Sequence, residues 1–251
     1  MDLQKFDVPR YLATLPLFAG VAARDLQRFA REGCLLQRVE RGRMIFRAGQ
    51  ECCEFHVAVT GQVRLFVASP AGVEKIIELC GPGHSFGEAA MFGGTPHVVS
   101  AQAFSEVLLL TIEKDAVLML MRSDSNFVLR VLEGLSRRLQ GLIQDVKGYT
   151  LYSGVQRVTG YLLGEHMSER SRARTQPALL EAGSEDGDAE AVVQLPVSKA
   201  AIASRLSLTP EYFSRVLGEL EAAGLIEVQR RTIRILDMGR LANYQALRLR
   251  R

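Results

Sequence analysis

The chain has 251 residues, 47% hydrophobic and 24% charged, with a formal net charge of +3. Those proportions exclude a mainly disordered chain, and the length suits one large domain or two modest ones. No stretch approaches the ~18 consecutive apolar residues that span a bilayer. The charged start, Met1 to Lys5, leads into no apolar run, so the expected location is the cytoplasm, with no membrane partner. Cys34, Cys52, Cys53 and Cys80 form no C-x2-C pair, so neither a structural zinc nor a cysteine-held cluster is indicated. They read as structural or incidental thiols. Any ligating or catalytic histidine must come from His56, His84, His97 or His166.

Residues 9–33 read as helical, with Leu15, Leu17, Phe18, Leu26 and Phe29 as a packing or lid segment. Residues 35–113 change texture. Glycines at 42, 49, 61, 72, 81, 83 and 87 separate short apolar runs at 44–46, 55–59, 63–67, 75–79 and 107–112. Such spacing predicts an antiparallel β-barrel or sandwich, with a hairpin turn at Ser69–Gly72. From Val128 the period becomes helical: Val128, Leu132, Leu135, Leu139, Leu142, Val146 and Tyr149 step by 4, 3, 4, 3, 4, 3. A helix packed within its own domain would show a wider stripe, so this narrow seam favours pairing with a second copy. Val155–Met167 follows as an amphipathic helix, and the polar stretch 168–193 reads as a solvated linking loop.

Function concentrates between Ser198 and Leu236. Ser198 is an N-cap candidate for a helix over 199–206. After a short break Thr209 caps again, Pro210 suits the first helical position and Glu211 its positive end. Gly224 ends this second helix. Two short strands follow, 225–229 and 232–236, joined by the basic turn Arg230-Arg231. Helix, tight turn, helix and wing form a winged helix-turn-helix, whose second helix enters the DNA major groove. Glu211, Ser214 and Arg215 are the candidate base readers. Ser198, Lys199, Thr209, Tyr212, Arg230 and Arg231 are candidates for the DNA backbone. Ten basic and five acidic residues lie between Val197 and Arg251, a net +5, which favours DNA over a protein partner.

From about residue 10 to 240 the chain resembles the CRP/FNR family of bacterial transcription regulators. Three segments carry the resemblance: Gly81-Pro82-Gly83-His84-Ser85-Phe86-Gly87-Glu88, the seam from Val128, and Thr209-Pro210-Glu211-Tyr212-Phe213-Ser214-Arg215. The implied architecture is α+β: an effector-sensing β-roll over 1–126, a dimerisation helix over 127–150 and a winged helix-turn-helix over 151–251. The implied effector pocket includes Phe86, Gly87, Glu88, Val98 and Val99. The implied interface is Val128, Leu132, Leu135, Leu139, Leu142 and Val146. Cyclic-AMP binders of the family carry Arg-Ser where this chain has Val98-Val99, so cyclic AMP is not expected as effector. Residues 1–33 lack cysteine, so no iron–sulfur cluster is expected either. The remaining likeness, including Thr95-Pro96 and Ser100–Ala103, is to the Dnr group, which implies TTGAT-type half-sites and nitric-oxide sensing through haem. His56, His84 and His97 are the candidate haem ligands. The implied partners are double-stranded DNA, a small-molecule effector, a second copy of the chain and RNA polymerase. An enzyme would need convergent acid, base or nucleophile groups. No H-E-x-x-H, phosphate-binding loop or triad context is present, so no enzymatic activity is expected. The remaining readings are a regulator of the same fold that senses another small molecule and a scaffold that does not bind DNA.

Overall fold

The computed structural model describes residues 6–175 and 191–248. It divides into two compact units, Met1–Ile143 and Gln144–Arg251.

The first unit opens with α1 (Val8–Thr14), a 3-10 turn at Pro16–Phe18 and α2 (Ala23–Gly33). Asp7 caps α1 by accepting the Arg10 N–H at 2.9 Å. Strands β1 (Cys34–Val39), β2 (Met44–Phe46), β3 (Glu54–Thr60), β4 (Val63–Ala68), β5 (Glu74–Cys80) and β6 (Ser85–Phe86) follow. Then come α3 (Glu88–Gly93), β7 (Ser100–Ala103), β8 (Val107–Glu113), α4 (Lys114–Ser123) and α5 (Ser125–Leu151). The strands form two antiparallel sheets, ordered β1-β8-β3-β6 and β2-β7-β4-β5. The glycine-punctuated runs predict antiparallel strands, and their arrangement is the β-roll that the family resemblance implies. At the expected hairpin, Ser69 accepts the Gly72 N–H at 2.9 Å and Gly72 sits at φ +80°.

The unbroken apolar run of β8 has a physical reason. Val107 and Leu109 face the core between the two sheets, with Phe46, Ala58, Leu65 and Phe86. Leu108, Leu110 and Ile112 face a second core beneath α1, α2, α4 and the start of α5. Both faces of the strand are therefore buried. Strand β3 alternates in the same way: Phe55, Val57 and Val59 face the helices, while Ala58 faces into the roll. Asp124 starts α5 by accepting the N–H groups of Asn126 and Phe127 at 2.9 and 3.1 Å. Phe127 and Val131 are buried in the helix-side core.

The second unit contains the last turns of α5, then α6 (Gly154–Thr175), β9 (Ala191–Gln194), α7 (Lys199–Arg205), α8 (Pro210–Ala222), β10 (Ile226–Gln229), β11 (Thr232–Ile235) and α9 (Met238–Arg248). Two expectations need correction. The stretch 168–193 is not all loop: α6 runs on to Thr175 and β9 begins at Ala191, while 176–190 lie outside the described residues. The wing has three strands, ordered β10-β11-β9, with Ile233 opposite Val193. Charged residues filled the 168–175 window and hid the helix, and four residues of β9 are too few to show an alternating pattern. The core holds Val158, Leu162, Val193, Ile202, Phe213, Val216, Leu220, Ile233 and Leu241.

Candidate nucleic-acid interface and ligand cavity

Helix α8 is set by its cap and its buried face. Thr209 Oγ1 accepts the Tyr212 N–H at 3.2 Å, with Pro210 at the first helical position. Burial of Phe213, Val216, Leu217 and Leu220 fixes the rotation of the helix. Glu211, Ser214, Arg215 and Gly218 are then exposed together, spaced as neighbours along one face. Ser198 caps α7 by accepting the Ala201 N–H at 3.3 Å. The turn between the helices places Ser207 at φ +56°. Arg157 of α6 donates to the carbonyls of Leu206 at 2.6 Å and Ser207 at 3.1 Å. It thereby satisfies groups that the end of α7 leaves unpaired.

At the wing tip Arg230 and Arg231 are exposed, Arg230 at φ +54°. Lys199 is half-buried. Two of the basic residues in the +5 count are neutralised locally. Arg234 pairs with Glu227 at 2.8 Å. Arg205 pairs with Asp145 at 2.6 Å and donates to the Tyr149 hydroxyl at 2.5 Å. Tyr212, expected on the DNA backbone, is half-buried with its ring against Gly154. Gly154 and Arg157 act on this face from α6, outside the motif. The sequence signal that marks the start of α6 is Ser153-x-x-Gln156, a capping box.

In the first unit a cavity of about 440 Å³ lies between the 3-10 turn, the outer face of β3 and α5. Leu15, Leu17, Phe55, Val57, Phe92, Val117, Phe127, Val131 and Leu135 make it largely apolar. Its polar part centres on Arg138, held by Glu78 at 2.6 Å and Glu88 at 3.1 Å, and donating to the Ser85 carbonyl at 3.2 Å. One guanidinium with two carboxylates carries a net negative charge. Arg130 and Arg137 also line the cavity.

The expected pocket residues do not line this cavity together. Among Phe86, Gly87, Glu88, Val98 and Val99, only Glu88 lines this cavity. Strand β6 turns Ser85 toward it and Phe86 into the core of the roll. Gly87 precedes α3 at φ +95°, Val98 is 80% exposed and Val99 packs on the roll core.

The histidines also separate. His84 lines the cavity. His56 does not, because it alternates with Phe55 and Val57. Its Nδ1 lies 3.0 Å from Thr111 Oγ1, and its Nε2 lies 3.7 Å from Glu54. His97 is stacked on Phe46, with ring centroids 3.6 Å apart. Burial, reinforced by His97, pushes His56 down to about 4, and burial lowers His97 as well. Both are neutral core rings rather than cavity groups.

Along α5, Leu135 lines the cavity and Val128 is half-buried, while Tyr149 donates to the Arg205 carbonyl at 2.7 Å. The exposed apolar residues are Leu129, Leu132, Leu139, Leu142, Ile143, Val146 and Leu151. Among the described residues no group of three or more His, Cys, Asp or Glu side chains could hold a metal ion, and no helix is long and apolar enough to cross a membrane.

Residues 36–124 match the cyclic nucleotide-binding domain family, and residues 156–244 the Crp-like helix-turn-helix domain family. The CRP-like cAMP-activated global transcriptional regulator of Mycobacterium tuberculosis is 24% identical over 92% of this chain and 96% of that protein. FixK2 from Bradyrhizobium japonicum shares the fold, with a TM-score of 0.68 and 20% identity over 84% of this chain and 96% of its own. DNR from Pseudomonas aeruginosa is 30% identical over 96% of this chain and 98% of its own, with a TM-score of 0.48. A ligand-binding β-roll, a long helix and a Crp-like helix-turn-helix together define a DNA-binding regulator. The chain belongs to the CRP/FNR family of transcriptional regulators.

Proposed function

We propose that this regulator acts as a homodimer on palindromic TTGAT-like sites, read by Glu211, Ser214 and Arg215. The observation that carries this is the shared exposed face of those three residues at the capped start of α8. Arg215 takes the guanine by two hydrogen bonds and Glu211 the paired cytosine or its neighbour. Arg230, Arg231, Lys199 and the cap hydroxyls of Ser198 and Thr209 serve phosphates. RNA polymerase is the further partner of such a regulator. Arg215→Ala should weaken cognate binding by about 1–3 kcal/mol and relax preference at the guanine position. Arg230→Ala should weaken all sequences alike and lower the salt slope by roughly one unit. Binding to cognate and guanine-substituted duplexes across a salt series separates the two. An unchanged cognate-to-substituted ratio for Arg215→Ala would sink this reading.

The effector is a largely apolar molecule held in the cavity beside α5, and haem is the candidate. The apolar wall suits a porphyrin, and His84 is the histidine at that wall that would hold the iron. Haem there would supply a binding position for nitric oxide, and the regulator would then control nitrogen-oxide or anaerobic metabolism. Cyclic AMP is disfavoured, since Val98 and Val99 offer a phosphate no side-chain donor and Arg138 is already shared by two carboxylates. Reconstitution with haem should give a Soret band that shifts with nitric oxide and is lost or displaced in His84→Ala. Absence of the band in the unmodified protein counts against haem, and an unaltered band in His84→Ala counts against His84.

A further inference from the structure

We propose that Gly154 and Tyr212 aim Arg215 at its base: the Tyr212 ring, seated on the bare Cα of Gly154, is a platform for the Arg215 guanidinium. This rests on the reading of Arg215 as the guanine contact. An exposed arginine without a partner loses rotamer entropy on binding, and Arg215 is exposed. Its Cζ lies 4.7 Å from the centroid of the Tyr212 ring, within cation–π range and one turn along α8. Stacking holds the planar fork in one orientation before DNA arrives and so reduces the entropy lost on binding.

The ring is itself held from behind. A Cβ added at Gly154 would meet Tyr212 Cε1 and stand 2.8 Å from Cζ and 2.9 Å from the hydroxyl oxygen. Nothing about the local backbone calls for glycine. Gly154 is not at positive φ. The start of α6 is secured without it, since the Ser153 N–H donates to Gln156 Oε1 at 2.8 Å and the Gln156 N–H to Ser153 Oγ at 3.3 Å. Alanine would favour that helix. The room glycine leaves is filled by the Tyr212 ring, and that ring carries the residue that reads the base. Gly154 and Tyr212 are thus positioning residues for specificity, 61 and 3 places away in sequence from the side chain they serve.

The test uses the full chain as purified, in fluorescence anisotropy titrations against a TTGAT palindrome and a duplex with its guanines replaced by adenines. Gly154→Ala and Tyr212→Leu should each lower the cognate-to-substituted ratio about two- to fivefold. The salt slope should stay unchanged, because no phosphate contact is removed. Tyr212→Phe keeps the ring and should keep the ratio. In an Arg215→Ala background, Tyr212→Leu should add no further loss of preference. If Arg215→Ala alone leaves the ratio unchanged, the base reading itself has failed. If Arg215→Ala lowers the ratio while Gly154→Ala and Tyr212→Leu match the unmodified protein, the positioning role is overturned. It is also overturned if Tyr212→Phe loses as much as Tyr212→Leu, since the hydroxyl and not the ring would then matter. Should Gly154→Ala lower the thermal transition, the Phe–Leu comparison at 212 decides.

Discussion

His56 shows how one side chain's direction sets its role. It sits inside the roll with one nitrogen on Thr111, close to Phe46, Phe86 and His97 and with the Glu54 carboxylate at 3.7 Å. Glu54 is itself pushed up by burial and by Glu113. With His56 held near 4 in the folded chain and at 6.5 in the unfolded one, the unfolded chain binds the extra proton between those values. Stability of the sensing unit should therefore fall as pH drops from 6.5 toward 4, by roughly 3 kcal/mol at the lower end. His56→Gln retains an amide for Thr111 but cannot titrate. Its thermal transition should depend visibly less on pH over that window, and an unchanged slope would assign the effect to other groups. The same ring shows what was legible in the sequence. His56 stood out as a ligand candidate by residue type, yet its place between Phe55 and Val57 already pointed it to the face opposite theirs. His84 could be singled out only once β6 and the cavity were in place.

Helix α5 carries two apolar stripes, and they overlap. One, including Phe127, Val131 and Leu135, belongs to the core and cavity of the sensing unit. The other runs through Leu129, Leu132, Leu139, Ile143 and Val146, all exposed. The heptad spacing was readable from Val128 onward, and Leu132, Leu139, Leu142 and Val146 of that seam are exposed; the inward turn of Leu135 and the engagement of Tyr149 were not readable. A seam drawn through Val128, Leu135 and Tyr149 mixes residues already engaged within the chain with residues that face outward. What fixes the rotation is remote in sequence: Arg130 donates to the Leu17 carbonyl at 3.1 Å and also pairs with Asp124 at 3.3 Å. A dimer should therefore be held by the outer stripe. Leu139→Glu with Val146→Glu should give monomers by light scattering while leaving the thermal transition of the sensing unit in place. Leu135→Glu should do the reverse, costing about 1–3 kcal/mol of stability with the dimer retained. A Leu139→Glu, Val146→Glu protein that remains dimeric at low concentration would remove this stripe from the interface.

Across the molecule, the coarse plan was legible because each part rests on a local signal. Glycine spacing marks the roll, a change of period marks α5, and paired caps at Ser198 and Thr209 mark the two helices of the DNA-binding motif. Groups assembled from distant residues were not legible. The cavity draws on the 3-10 turn, β3, β5 and α5, and the guanidinium at its centre is far along the chain from Glu78 and Glu88. The charge count of the DNA-binding half was likewise readable, but not that Arg205 and Arg234 are engaged within it. Arg230 is different, since it stands at the wing tip in a conformation that disfavours any side chain by roughly 1–2 kcal/mol. Glycine would relax that turn while removing the cation proposed to meet phosphate. Heat tolerance and grip on DNA therefore pull residue 230 in opposite directions. A population of variants sorted only for survival of heating would drift toward glycine there, and would emerge sturdier and poorer at holding a promoter.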